Sequence, residues 1–179
     1  MSIEPVSVYL GLGSNVGERK QNLDAALHFI SQRLKVDKTS SVYDTAPEDN
    51  PNQPHFLNLV ARAYTTLEPL ALLTLLKGIE TKMGRLSTKR YSPRTIDIDI
   101  LFYGKQTLST PELTIPHLRI AERAFVLMPL EEIAPELTHP LSGKSATQML
   151  AELKKGVQGV FKFVETTPTE VNPDVPNNG

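Results

Sequence analysis

Between Arg94 and Phe102 the chain reads Arg-Thr-Ile-Asp-Ile-Asp-Ile-Leu-Phe, an alternation that restricts the fold more than any other stretch. Successive side chains of a strand point to opposite faces. Ile96, Ile98 and Ile100 therefore share one face, which calls for burial, while Asp97 and Asp99 share the other. Two residues along a strand span roughly 6.6 Å, so the carboxylates stand side by side without hydrogen-bonding each other. Aspartate is depleted in strands, and a like-charged pair on one face is unfavourable unless a cation neutralises it. Hard divalent ions, Mg²⁺ above all, take such oxygen donors. A solvated acidic face on a half-buried strand is the plainer alternative, and the two aspartates alone do not separate the readings.

The strand needs partners, and 179 residues are enough for one domain with a real core and short for two. With 40% apolar and 22% charged residues the composition is that of an ordinary globular chain. A net charge of −1 argues against a general nucleic-acid or membrane-surface binder, so any anion site must be a local cluster of cations. The sequence contains no cysteine, which excludes disulfides and thiolate metal sites and fits a reducing cytosol. Met1-Ser2-Ile3-Glu4-Pro5 lacks the basic start and apolar core of a signal peptide. No apolar run is long enough to span a membrane. The expectation is a soluble, cytoplasmic protein.

Residues 6–12 predict a first strand, ending at Gly11-Leu12-Gly13-Ser14-Asn15. A helix follows from about Glu18, with Leu23, Ala26, Leu27 and Ile30 at helical spacing. Residues 36–43 predict a second strand, and residues 48–54, rich in Pro, Asn and Asp, a long surface loop. Residues 56–65 alternate as a third strand. Pro69, tolerated in a first turn, opens a helix with a stripe through Leu70, Leu73, Leu76, Ile79 and Met83, ending at Gly84. The aspartate strand runs to Tyr103, and Pro111 and Pro116 bracket irregular chain. Helices are expected over 122–133 and 146–154, with an edge strand over 157–164. The order β-α-β-β-α-β matches the ferredoxin-like arrangement: an α+β fold, its mostly antiparallel sheet flanked by helices. Residues 1–165 form one domain in this reading, and the Pro-, Asn- and Thr-rich tail 166–179 is disordered.

Lys82, Arg85, Lys89, Arg90 and Arg94 lead into the aspartates with no acidic residue among them. Cations beside paired carboxylates are what a metal-bridged polyphosphate site needs, since guanidinium groups clamp phosphate oxygens while carboxylates hold the metal. The competing reading is a solvated basic loop, and direct attachment to the acidic pair favours phosphate. Gly11-Leu12-Gly13-Ser14-Asn15-Val16-Gly17 fails as a dinucleotide fingerprint, because the third glycine should fall at Val16. It fails as a P-loop for want of Gly-Lys-Ser/Thr. A glycine-serine turn with D-x-D also occurs in nucleotidyltransferases, where the two lie much closer in sequence than Ser14 and Asp97. Asn58 beside Phe56 offers a donor-acceptor edge for a flat heterocycle, although a strand-start asparagine is more often structural. Pro116-His117 and Arg123-Ala124-Phe125 add a histidine, an arginine and a ring, each of which taken singly reads as packing or capping.

Together these elements closely resemble the 6-hydroxymethyl-7,8-dihydropterin pyrophosphokinase family of folate synthesis. The resemblance is carried by Leu10 to Asn15, Phe56-Leu57-Asn58, Glu80 with Gly84-Arg85, Pro93 to Leu101, and Pro116-His117 through Arg123 to Leu127. Pro129-Leu130 and Ile133-Ala134-Pro135 extend it, so that it covers residues 6–140. It implies transfer of the β,γ-diphosphate of ATP to the pterin hydroxymethyl oxygen, releasing AMP. Asp97 and Asp99 resemble ligands of two Mg²⁺ ions, and Arg85 and Arg94 the mobile-loop cations that position the transferring group, which makes these four the implied catalytic set. Lys77, Glu80, Tyr91, Ile100, His117 and Arg123 resemble further ATP contacts. Thr45, Pro47, Phe56, Asn58 and Phe125 resemble the pterin pocket, two rings sandwiching the heterocycle while Asn58 reads its edge. Three mobile active-site loops, 14–20, 47–54 and 86–93, would close to exclude water.

The chain departs from the family at Ser87, where some members carry arginine, and at Leu118, where some have tyrosine. Tyr91 stands for a Trp or Phe, Phe56 for a Tyr, and Glu48 for an apolar residue. The implied partners are ATP and the pterin, with no nucleic acid or membrane, acting as a monomer with transient contact to the next folate-pathway enzyme. Two alternatives are a metal-dependent nucleotidyltransferase and a catalytically inactive pterin- or nucleotide-binding module. Replacing Asp97→Ala is expected nearly to abolish turnover, while Arg94→Ala mainly lowers kcat. Near-normal steady-state activity of the Asp97 variant would sink the metal assignment.

Overall fold

The computed structural model describes residues 4–46, 54–85, 95–153 and 159–163, with Arg85 described in its backbone alone. Five strands build the sheet core: β1 (Val6–Ser14), β2 (Lys35–Thr39), β3 (Tyr43–Thr45), β4 (Phe56–Thr65) and β5 (Asp97–Tyr103). Helix α1 (Arg19–Ser31) joins β1 to β2, and α2 (Pro69–Arg85) lies between β4 and β5. A small hairpin, β6 (Leu108–Ser109) and β7 (Thr114–Ile115), precedes a 3-10 turn over Ile120–Glu122. Helices α3 (Ala124–Ile133) and α4 (Ala146–Glu152) follow, then edge strand β8 (Val160–Lys162). The main sheet runs β5-β1-β4-β3-β8, with β2 also on β4, and every pairing is antiparallel. The βαββαβ core expected from the sequence is therefore present, with β4 inserted between β1 and the split second strand.

Both faces of this sheet are covered, which explains its apolar strands. On one face Leu23, Ala26 and Ile30 of α1 and Leu72, Leu76, Ile79 and Met83 of α2 pack on Val8, Leu10 and Leu12, on Leu57 and Leu59, and on Ile98 and Ile100. On the other, Val126, Leu127 and Leu130 of α3 and Met149 of α4 pack on Tyr9, Val60, Leu101 and Phe102. A bulge makes the second core possible. Tyr9 pairs with Phe102 but Leu10 pairs with Ile100, so Leu101 is an extra residue on β5. Ile98 and Ile100 face α2, whereas Leu101 and Phe102 consecutively face α3 and α4.

Four local expectations are corrected. The second strand is interrupted at Ser40, whose hydroxyl accepts from the Val60 amide (2.9 Å) while its own amide donates to the Val60 carbonyl. A side chain thus replaces a ladder group, and β3 begins anew at Tyr43. In α2 the buried stripe passes through Leu72, not Leu70, which is 46% exposed. At 3.6 residues per turn Leu70 sits about 200° from Leu72 and faces away. The chain between Pro111 and Pro116 is not wholly irregular, because the Thr110 hydroxyl and amide both bond Leu113 and close the β6-β7 turn. Helix α4 starts in a Ser145–Gln148 capping box, as its sequence allows, and ends at Glu152. Most of the loop 47–54, the loop 86–93 and the tail 166–179 lie outside the described residues.

Gly13 has a packing reason for lacking a side chain. A Cβ there would stand 2.6 Å from Asn58 Oδ1, whereas one on Gly11 would meet only Leu101 at an ordinary 3.4 Å. Gly13→Ala is expected to destabilise by about 1–3 kcal/mol, since the buried amide must swing aside. Gly11→Ala should lose clearly less, and urea unfolding of both variants checks the contrast.

Candidate functional site

Register places the predicted site residues. Asp97 opposes Gly13 and Asp99 opposes Gly11 across β1. On the next strand Gly13 opposes Asn58 and Gly11 opposes Val60. Tyr43 opposes Asn58, and Thr45 opposes Phe56. Residues directly opposite share a face, so Asp97, Gly13, Asn58 and Tyr43 form one row across four strands. The glycines make this row a narrow lane between the aspartates and Asn58: they add no side chain of their own, but Gly13 is buried under Asn58 Oδ1 and Leu101 lies against Gly11. Ile96 and Ile98 turn into the opposite core, as the alternation requires.

At one end of the lane the carboxylates face outward, Asp99 exposed and Asp97 half-buried. At the other, Asn58 is 7% exposed and donates from Nδ2 to Thr45 Oγ1 at 3.1 Å. Its Oδ1 lies over Gly13. Phe56 lies two residues from Asn58 on the same face, partly exposed. Phe125, in the first turn of α3, packs against the small cluster of Tyr43, Ala124 and Val160. The structure thus gathers Thr45, Phe56, Asn58 and Phe125 around one end of the lane.

His117 sits on the open edge of β5, where its amide donates to the Leu101 carbonyl at 3.0 Å. Its Nδ1 accepts from the Arg119 amide at 3.2 Å, so in the neutral ring the proton belongs on Nε2. Burial pushes the imidazole below its ordinary value; the Asp99 carboxylate opposes the shift, and Arg123 and Arg119 add to it. Aspartate, imidazole and guanidinium are therefore in electrostatic reach of one another. Arg123 also lies over the Phe125 ring, 5.5 Å from its centre.

Other expected residues stand apart. Lys77 (exposed) and Glu80 (half-buried) are on α2, which covers the opposite face of the sheet. The Ile100 side chain is 3% exposed inside that same core, and the residue pairs with Leu10 of β1. Arg94, Tyr91 and Pro47, with Ser87 and Glu48, lie outside the described residues, as does the Arg85 side chain.

One support was not anticipated. Glu132 of α3 accepts from Tyr43 Oη (2.6 Å), from the Ser41 amide (2.8 Å) and from Ser41 Oγ (3.1 Å). Burial works to raise the Glu132 carboxyl, but these bonds outweigh it and hold it below its ordinary value. Burial, and then Glu132, push the Tyr43 phenol well above the usual range. The bridge ties the helix carrying Phe125 to the strand carrying Thr45. No periodicity marks a pair 89 positions apart.

The family model for 7,8-dihydro-6-hydroxymethylpterin-pyrophosphokinase matches residues 9–135. The 2-amino-4-hydroxy-6-hydroxymethyldihydropteridine pyrophosphokinase of Bacillus subtilis is 37% identical over 160 residues, covering 88% of this chain and 96% of that protein. The folic acid synthesis protein of Pneumocystis carinii is 43% identical over 145 residues, 80% of this chain but 20% of the longer protein. The crystal structure of wild-type Plasmodium falciparum HPPK-DHPS with pteroate superposes with a TM-score of 0.73 at 18% identity, over 90% of this chain and 47% of that one. At that identity the superposition shows the fold. The chain thus spans about a fifth of the fungal protein and under half of the Plasmodium one.

The depressed imidazoles have a consequence for stability. The unfolded chain protonates His117 and His139 near the ordinary 6.5, while burial makes the folded chain resist. The unfolded state then binds more protons, so this contribution is whole above pH 6.5 and is lost as pH falls below it. Urea unfolding as a function of pH should show the decline, and His117→Gln should flatten it. Glu132 adds its own loss only further down, below the usual 4.5 of a glutamate.

Proposed function

The chain belongs to the 7,8-dihydro-6-hydroxymethylpterin-pyrophosphokinase family, and we propose that it transfers the β,γ-diphosphate of ATP to the hydroxymethyl oxygen of 6-hydroxymethyl-7,8-dihydropterin, releasing AMP. The observation that carries this reading is the row from Asp97 across Gly13 to Asn58, which sets a carboxylate pair and an amide edge on one face of the sheet with a glycine-bearing strand between them. Polyphosphate fits one end and a flat heterocycle the other, with the transferred group between them.

Mg²⁺ is the metal this donor set suits. It is bound by one or two carboxylates together with substrate phosphates rather than by an all-protein cage. Among the described residues no group of three or more carboxylate or histidine ligands could form such a cage. Asp97 and Asp99 supply the protein oxygens, and the exposure of Asp99 leaves room for phosphate and water. Two Mg²⁺ held there would neutralise the triphosphate and make the pterin hydroxyl more acidic.

The rest follows from the chain's own groups. Asn58 is held by Thr45, so its amide edge meets the pterin without first losing rotamer freedom. Phe56 and Phe125 stack on the ring from either side. His117, neutral above pH 6.5, presents Nε2–H as a donor to a phosphate oxygen. Arg123 offers its guanidinium fork beside it. Arg85 and Arg94 enter the reading from sequence alone, as cations that follow charge onto the transferring group. Lys77, Glu80, Tyr91 and the Ile100 main chain are assigned to the nucleotide, and Pro47 to the pterin, on the same ground. In the transfer the hydroxymethyl oxygen bonds the β-phosphorus, and the bond from that phosphorus to the bridging α,β-oxygen breaks. AMP leaves with that oxygen, and the alcohol proton is released.

Incubation with ATP, Mg²⁺ and the hydroxymethyldihydropterin, followed by mass analysis, should give the pterin diphosphate and AMP in equal amounts. Pyrophosphate with an adenylylated pterin would turn the reading to nucleotidyl transfer. ADP would contradict both, and no turnover would leave a binding module.

A further inference from the structure

Beyond Gly13 the backbone ladder between β1 and β5 stops, yet the two strands stay joined. Ser14 Oγ donates to the carbonyl of Thr95, two residues before Asp97, at 2.8 Å. The same oxygen accepts from Asn22 Nδ2 at 3.1 Å, and that amide nitrogen also donates to the Val16 carbonyl at 2.8 Å. Ser14 is 1% exposed, which makes this a protein-only link running from α1, through the end of β1, to the start of β5.

We infer that Ser14, backed by Asn22, is a positioning residue that fixes Asp97 for metal-polyphosphate binding. The inference rests on reading Asp97 and Asp99 as magnesium ligands. Asp97 is the first residue of β5, and its pairing with Gly13 is the last rung of the β1-β5 ladder. Strand ends are where local opening begins. The Ser14 hydroxyl bond to Thr95 adds a hold on the N-terminal side of Asp97, one link past the last paired residues. Asn22 leaves that hydroxyl little freedom, because it occupies the oxygen's acceptor side. Asp99 lies two residues further in, opposite Gly11, and is steadied by the ladder itself. A ligand constellation has to be held within about 0.5 Å of its working geometry, so a loose Asp97 would weaken the metal while the fold survives.

The test is calorimetric titration of Mg²⁺ into the full chain with the non-transferring analogue α,β-methylene-ATP. Parent, Ser14→Ala, Asn22→Ala and Asp97→Ala are compared, with thermal unfolding and amide exchange of Ile96 to Ile98 recorded alongside. Ser14→Ala should weaken Mg²⁺-dependent binding about five- to tenfold, the worth of one lost buried hydrogen bond, and quicken exchange at those amides. Asn22→Ala should shift both in the same direction and by less, and it decides the matter if the serine variant does not fold. Lowered thermal stability with parental Mg²⁺ affinity in these variants, while Asp97→Ala binds weakly, would overturn the positioning role and leave the metal reading intact. Parental affinity in Asp97→Ala would instead remove the metal reading, and this inference with it.

Discussion

Two carboxylates on one face of a strand repel each other, and much of this fold is arranged so that they can stay there. Asp97 and Asp99 stand on β5, the strand at one end of the main sheet among the described residues. Their cross-strand neighbours are glycines, which neither crowd nor cover them. Their own strand is anchored by Ile98 and Ile100, buried under α2. Exposure lowers the cost of two like charges, and the proposed polyphosphate would enter from that same exposed side.

What holds the rest of the lane is a set of long-range polar bonds rather than apolar packing alone. Glu132 carries α3 onto Tyr43 and Ser41, and Asn58 leans on Thr45. The Glu132 bonds join elements about 90 positions apart and the Asn58 bond joins two consecutive strands, so the end of the lane is set by hydrogen bonds whose geometry is directional. Hydrophobic contact alone would let α3 slide on the sheet. The buried side-chain nitrogen and oxygen atoms among the described residues all have partners, as a functional polar network within a core requires.

Strong periodicity made β4, α2 and the aspartate strand legible in the sequence, because burial on a known face dictates spacing over many residues. Register was not legible: the Gly-x-Gly of β1 reads as a turn in the sequence, and only the sheet pairing sets it opposite the Asp-x-Asp of β5. The Ser40 interruption was not legible, since a hydroxyl standing in for a ladder group looks like any strand serine. Nor was the depth of Leu72 against Leu70, where a leucine-rich turn offers several stripes of similar quality. Asn22 and Glu132 escaped for a different reason. Their partners are 8 and 91 positions away, and nothing local distinguishes a bonded side chain from a solvated one.

The extra residue at Leu101 carries a consequence beyond packing. By plain alternation Leu101 already shares the face of Asp97 and Asp99, and the extra residue brings Phe102 onto it as well. Along one face of β5 the surroundings therefore pass from an exposed carboxylate at Asp99 to hydrocarbon 1% exposed at Leu101 and Phe102. Val60, equally buried, continues that apolar wall onto β4. A low-dielectric wall beside a charge focuses its field toward the open side.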